Sequence, residues 1–130
     1  MAAYSYDLHG VRIFECPSHG PAVQSEQDAL AILGEAMAQH AEMVLLPVER
    51  LSPSFFELRT GLACAIAQKF VTYGMRLAII GAISPAALES PALQAFINES
   101  NRGERIWFLD HTGDLGKRLQ AHIIPRSART

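Results

Sequence analysis

The chain has only two cysteines, Cys16 and Cys64, in 130 residues. Both stand in apolar stretches, so they read as reduced, buried thiols of a cytosolic protein and not as a disulfide framework. A dominant charge is missing as well. Eleven Lys and Arg against thirteen Asp and Glu leave a formal net charge of -2, which gives no electrostatic reason to expect nucleic acid. No apolar run approaches the roughly 20 residues that a membrane helix needs. The start, MAAYSYDLHG, lacks the basic flank and apolar centre of a signal peptide. The expectation is a soluble cytoplasmic protein with no membrane partner.

Chemical signatures are equally sparse. GDLGK at Gly113–Lys117 resembles a phosphate loop only in passing, because the spacing and the following Ser or Thr are absent. There is no dinucleotide fingerprint and no nucleophile elbow. His9, His19, His40, His111 and His122 show no metal-ligand spacing with one another or with cysteine. No cofactor, no metal and no catalytic residue is expected.

What is present is a core. Hydrophobic residues make up 49% of the chain, enough for one domain with a packed interior. The layout centres on Ser52–Gly81. Ser52 before Pro53 is one helix start signal, and Ser54 with Glu57 is another, a capping box. Phe55, Leu58, Leu62, Ile66 and Phe70 follow at helical spacing, so a long buried helix is predicted over residues 53–73. Gly61 interrupts it at a cost of roughly 1 kcal/mol against Ala, as a break after one short turn or as a site of tight packing. Gly74 stops the helix. Leu77–Ile80 is a continuous apolar run, as in a strand covered on both faces.

Around this centre, residues 4–9 and 11–16 read as a hairpin across Gly10. Ser25 caps a helix to about Gln39, with Ala29, Leu30, Ile32, Leu33, Ala36 and Met37 on its apolar side. Met43–Val48 is a strand, residues 84–90 a loop or short turn, and Pro91 opens a helix ending near Glu99. Asn101–Gly103 is a turn and Ile106–Leu109 a strand. Thr112 caps a last helix to about Ala121, and residues 123–130 are expected to be a frayed tail. Helices between successive strands imply parallel pairs with right-handed crossovers. The fold class is α/β: a single domain with a mostly parallel sheet of four to five strands and about four helices.

This order of elements resembles the STAS, or SpoIIAA-like anti-sigma-factor-antagonist, sandwich. A narrower resemblance lies in FFELRTGLACAIAQKF (Phe55–Phe70), YGMRLAIIG (Tyr73–Gly81) and FINESNRG (Phe96–Gly103). Together these are similar to an uncharacterised bacterial family, domain of unknown function 4180. That family tends to have Gly-Glu where Cys64-Ala65 stand here, and an acidic residue at the position of Ala82. The resemblance supplies no activity, substrate or catalytic residue.

A parallel sheet sends all its strand-to-helix loops to one rim, where ligands usually bind. That rim collects Ser18, His19, Ser52, Ser54, Glu57, Ser84, Asp110, His111 and Thr112, with Arg59 and Thr60 close behind in the first helical turns. The opposite rim collects Gln68, Lys69, Tyr73, Glu99, Asn101, Arg102 and Glu104. The candidate binding residues are Ser52, Ser54, Glu57, Arg59 and Thr60 on the first rim, and Glu99, Asn101 and Arg102 on the second. Ser52 and Ser54 are helix caps or, by the STAS resemblance, phosphorylation sites. Glu57 and Arg59 form a solvated pair, and Thr60 satisfies a backbone carbonyl. Arg102 latches helix to sheet or receives a partner or anion. The leading reading is a non-enzymatic regulatory or interaction module that binds a protein partner or forms a homodimer. The alternatives are a small-molecule or anion binder at helix N-termini, and a small hydrolase using His19, Asp110 or His111 with Ser52 or Ser54.

Overall fold

The computed structural model describes residues 3–129, with side chains described through residue 121. Strands β1 (Tyr4–Leu8) and β2 (Val11–Glu15) pair antiparallel. The two-residue turn between them, His9–Gly10, has φ of 50° and 82°, the left-handed geometry whose twist suits adjoining strands. β3 (Met43–Pro47), β4 (Arg76–Ile80) and β5 (Ile106–Leu109) then add in parallel, giving the order β1-β2-β3-β4-β5. The sheet is therefore mixed, a correction to the mostly parallel sheet expected. Its opening hairpin turns back within two residues, which only an antiparallel pair can do.

Among the described residues five α-helices accompany the sheet where about four were expected: α1 (Glu26–Ala38), α2 (Leu62–Thr72), α3 (Pro85–Leu88), α4 (Pro91–Arg102) and α5 (Thr112–Arg129). The additional one, α3, is a single turn capped by Ser84, whose Oγ accepts from the Ala87 amide at 3.2 Å. The strand order never reverses, so crossovers of one hand lay α1, α2 and α4 on one face. There Phe14, Val44, Leu46, Leu77, Ile79 and Phe108 meet Leu33 and Ala36 of α1 and Ile66 and Phe70 of α2. The alternate strand residues Ile13, Met43, Leu45, Ala78, Ile80 and Trp107 face the other way and meet Leu115 and Leu119 of α5. Period-two alternation thus supplies two cores from one sheet.

The central stretch departs from expectation in one respect. Pro53–Phe56 and Leu58–Thr60 are separate 3-10 turns, and the α-helix begins only at Leu62. Gly61 divides them with φ 77°, a conformation that costs any residue with a Cβ. Thr60 Oγ1 closes the lead-in on itself, reaching the carbonyls of Ser54 and Glu57 at 2.8 Å each and accepting from the Leu62 amide at 3.3 Å. The lock itself stands: Ala63, Ile66 and Phe70 are buried, and so are Leu77–Ile80.

Three smaller corrections follow. Cys16 is buried but Cys64 is exposed, because Cys64 follows buried Ala63 by one step and points about 100° away from it. α4 runs on through Asn101 and Arg102, so those residues are helical and not in a turn. Met37 is exposed at 47%, off the buried stripe of α1. The expected frayed tail falls on residues whose side chains lie outside the described ones.

Candidate functional site

The first-rim residues do not converge on one point. Ser52 is buried, and its Oγ has no hydrogen-bond partner among the described residues. It is not a side-chain cap. Its backbone carries the contacts instead: the amide donates to the Val23 carbonyl at 3.2 Å and the carbonyl accepts from the Phe55 amide at 3.0 Å. Ser54 is exposed. The capping box it was expected to form with Glu57 is absent, since a 3-10 turn ends there and only the Ser54 carbonyl receives the Glu57 amide. Thr60 serves the backbone, as described above.

Glu57 and Arg59 do meet. Their charged groups lie 3.7 Å apart with side chains 53% and 87% exposed, a solvated pair worth little to stability. They stand beside an open groove of about 550 Å³ between the 53–60 lead-in and α3 with the start of α4. The groove is lined by Pro53, Phe56, Leu58, Ala86, Ala87 and Ala92, with Ser90 among them. Ser90 Oγ is already committed as the cap of α4, accepting from the Leu93 amide at 3.2 Å. Phe56 is available to the groove because Phe55 takes the core position; the two rings meet edge to face at 5.2 Å.

The second group divides. Glu99 and Arg102 pair at 3.1 Å, both about three-quarters exposed. Among the described residues Arg102 bonds Glu99 and no strand; the latch is its neighbour. Asn101 donates from Nδ2 to the Phe108 carbonyl at 3.2 Å, and its Oδ1 accepts from the Phe108 amide at 2.7 Å. In a parallel pair alternate residues direct their backbone groups outward, and Phe108 is one of these on edge strand β5. The Asn101 amide thus stands in for a missing sixth strand. Asn101 also shares a cavity of about 270 Å³ with Gly81, Ile83 and Asp110. β5 has only four residues, so the separation of polar groups into two distant ends fails on this side of the sheet.

Other residues carry more of the structure than the sequence suggested. Trp107 is fully buried, with the guanidinium groups of Arg76 and Arg118 at 4.8 and 4.2 Å from its ring centre. Its Nε1 donates to the Gly103 carbonyl at 2.8 Å. Arg118 also donates to the Asn101 carbonyl, and burial lowers its pKa. Its spacing between Leu115 and Leu119 on one helical face was a legible signal. Arg50 is nine-tenths buried beneath the β2–α1 loop, and nothing in VERLS announces that. Tyr6 Oη donates to Glu15 Oε1 at 2.7 Å; burial first, then Glu15, raises its pKa.

Among the described residues, no group of three or more His, Cys, Asp or Glu is placed to hold a metal ion. Among the same described residues, no helix is long and apolar enough to cross a membrane. Comparison with curated proteins and with solved structures gives no match. A family model does match, over residues 8–119, which takes in the whole sheet from the end of β1, the groove and the Asn101 latch. The chain belongs to the family described as Domain of unknown function (DUF4180).

Proposed function

We propose that the protein is a non-enzymatic interaction module of STAS-like architecture, acting in the bacterial cytoplasm on a partner protein in a regulatory role. The element order supports the architecture: an opening hairpin, then strands added one by one with a helix between each. The groove carries the function. Its lining is apolar, and its charged residues, Glu57 and Arg59, neutralise each other at the edge. Such a surface suits the apolar side chains of a partner segment, with the ion pair available to exchange partners during docking. A hydrolase requires a base against a serine. Among the described residues, neither Ser52 nor Ser54 has a side-chain hydrogen bond to His19 or His111. A phosphorylation switch is open only to Ser54, because Ser52 is buried.

Filling the groove tests the reading. Ala87→Trp occupies the space, and Tyr73→Ala, outside the groove, is the control. Pull-downs from native lysate should give a protein retained by the wild type and by Tyr73→Ala but lost from Ala87→Trp, with melting temperatures unchanged. Partners retained equally by all three would remove the groove from consideration. Light scattering identifies a second copy of the chain as the occupant if a wild-type dimer becomes monomeric in Ala87→Trp.

A further inference from the structure

Arg50 is a buried cation without an ion-pair partner among the described residues. It is 9% exposed, and among the described residues no carboxylate lies within ion-pair distance. Its Nε donates to the Pro21 carbonyl at 2.8 Å and its Nη1 to the Pro17 carbonyl at 3.0 Å. These bonds hold the β2–α1 loop over the guanidinium. They do not neutralise it, and a guanidinium has more N–H groups than two carbonyls use. Burying a charge is costly unless it is paired.

The same guanidinium lines a cavity of about 190 Å³ with Cys16, His19, Gly20 and Glu35. Gly20 lets the loop lie against it. A Cβ there would sit 3.1 Å from Arg50 Cζ, and its φ of 149° disfavours a side chain in any case. Phe14 and Ile32 provide apolar wall. The cavity is smaller than the roughly 300–1,000 Å³ of clefts for drug-sized molecules.

We infer that this cavity binds a small oxyanion, a carboxylate or phosphate group on a compact body, whose charge completes the pairing of Arg50. The site is separate from the apolar groove, and neither depends on the other. Cys16 contributes wall and not a nucleophile: burial raises its thiol pKa to about 11, against the opposing pull of Arg50. Glu35, on the exposed side of α1, is the opposing charge at the cavity, and it weakens anion binding or receives a cationic group on the same ligand.

The test is a titration of the whole protein with inorganic phosphate and, separately, with n-butyrate, at constant ionic strength. Proton–nitrogen correlation spectra report the Arg50 Nε–H and the amides of Cys16, His19 and Gly20. Saturable shifts confined to these signals are expected. Phosphate alone, butyrate alone or both identifies the headgroup, and each supports the site. Arg50→Lys keeps the charge but loses the fork, and should abolish saturation. Because that variant also loosens the loop, Glu35→Gln provides the second arm: it alters an exposed residue and should tighten binding by about threefold or more. No saturable shift with either anion at tens of millimolar overturns the inference. So does binding that Glu35→Gln leaves unchanged.

Discussion

Truncating Asn101 should unlatch the edge of the sheet, while truncating Arg102, one residue away, should do almost nothing. In Asn101→Ala the Phe108 amide and carbonyl lose partners at 2.7 and 3.2 Å. Phe108 is only 8% exposed, so water replaces them poorly. Each lost bond costs about 1 kcal/mol where water can enter and up to about 3 where it cannot. A total of about 2 kcal/mol, with an upper end of about 6, is expected. For a domain of this size, about 2 kcal/mol corresponds to a fall of about 7 °C in Tm. Arg102→Ala removes an ion pair whose side chains are 76% and 77% exposed, worth about 0.5 kcal/mol or less. Asn101→Asp keeps the acceptor but turns a carboxylate oxygen toward the Phe108 carbonyl, so it should not rescue. Urea denaturation with a check for constant slope measures all three, and hydrogen exchange at Phe108 reports whether the loss is local. Equal, small effects of Asn101→Ala and Arg102→Ala would refute the account of the latch, and a larger effect of Arg102→Ala would reverse it.

Three further outcomes are expected. Gly61→Ala should destabilise by about 1–2 kcal/mol, read from the urea midpoint, because φ is 77° at that residue; a gain, the usual result within a helix, would mean the lead-in is helical after all. Ser52→Ala should be neutral or stabilise by up to about 1 kcal/mol, since a buried hydroxyl without a partner among the described residues is removed; a loss of about 1 kcal/mol would instead mark a working helix cap. Iodoacetamide at pH 8 should label Cys64 quickly and Cys16 only on unfolding, as mass spectrometry of peptides would report. The Cys16 thiol is raised to about 11, so the folded state holds its proton more tightly than the unfolded chain. Its contribution to stability is complete below the ordinary thiol pKa and is lost as pH rises toward about 11. Prompt labelling of native Cys16 at pH 8 would contradict both its burial and its pKa.

Much of the architecture was legible because it rests on periodicity. Leu77–Ile80 and Ile106–Leu109 read as strands from their apolar runs, and both are buried strands with those residues as bounds or within one of them. Ser25 and Pro91 marked two helix starts correctly. The lead-in at 53–60 was legible in part: of the two readings of Gly61 the break is the one observed, but Phe55 and Leu58 continue the helical spacing of Leu62, Ile66 and Phe70 and so concealed the two 3-10 turns. A pattern of apolar positions is blind to the sign of φ at Gly61. Similarly, Glu57 and Arg59 were identified as a pair, but the groove beside them was not, since Ala86, Ala87, Ser90 and Ala92 reach it from α3 and the start of α4.

The order of polar and apolar residues along the chain determined one α/β domain, its strands and most of its helices, because burial at a period of 2 or 3.6 is a local property of sequence. The fold alone decided which polar groups find partners: Arg50 bonded under a loop from about 30 residues earlier, Ser52 Oγ sealed without a partner among the described residues, Asn101 bound along an open strand edge. Whether a charge or hydroxyl is satisfied depends on atoms brought from distant segments, and no local pattern records their arrival.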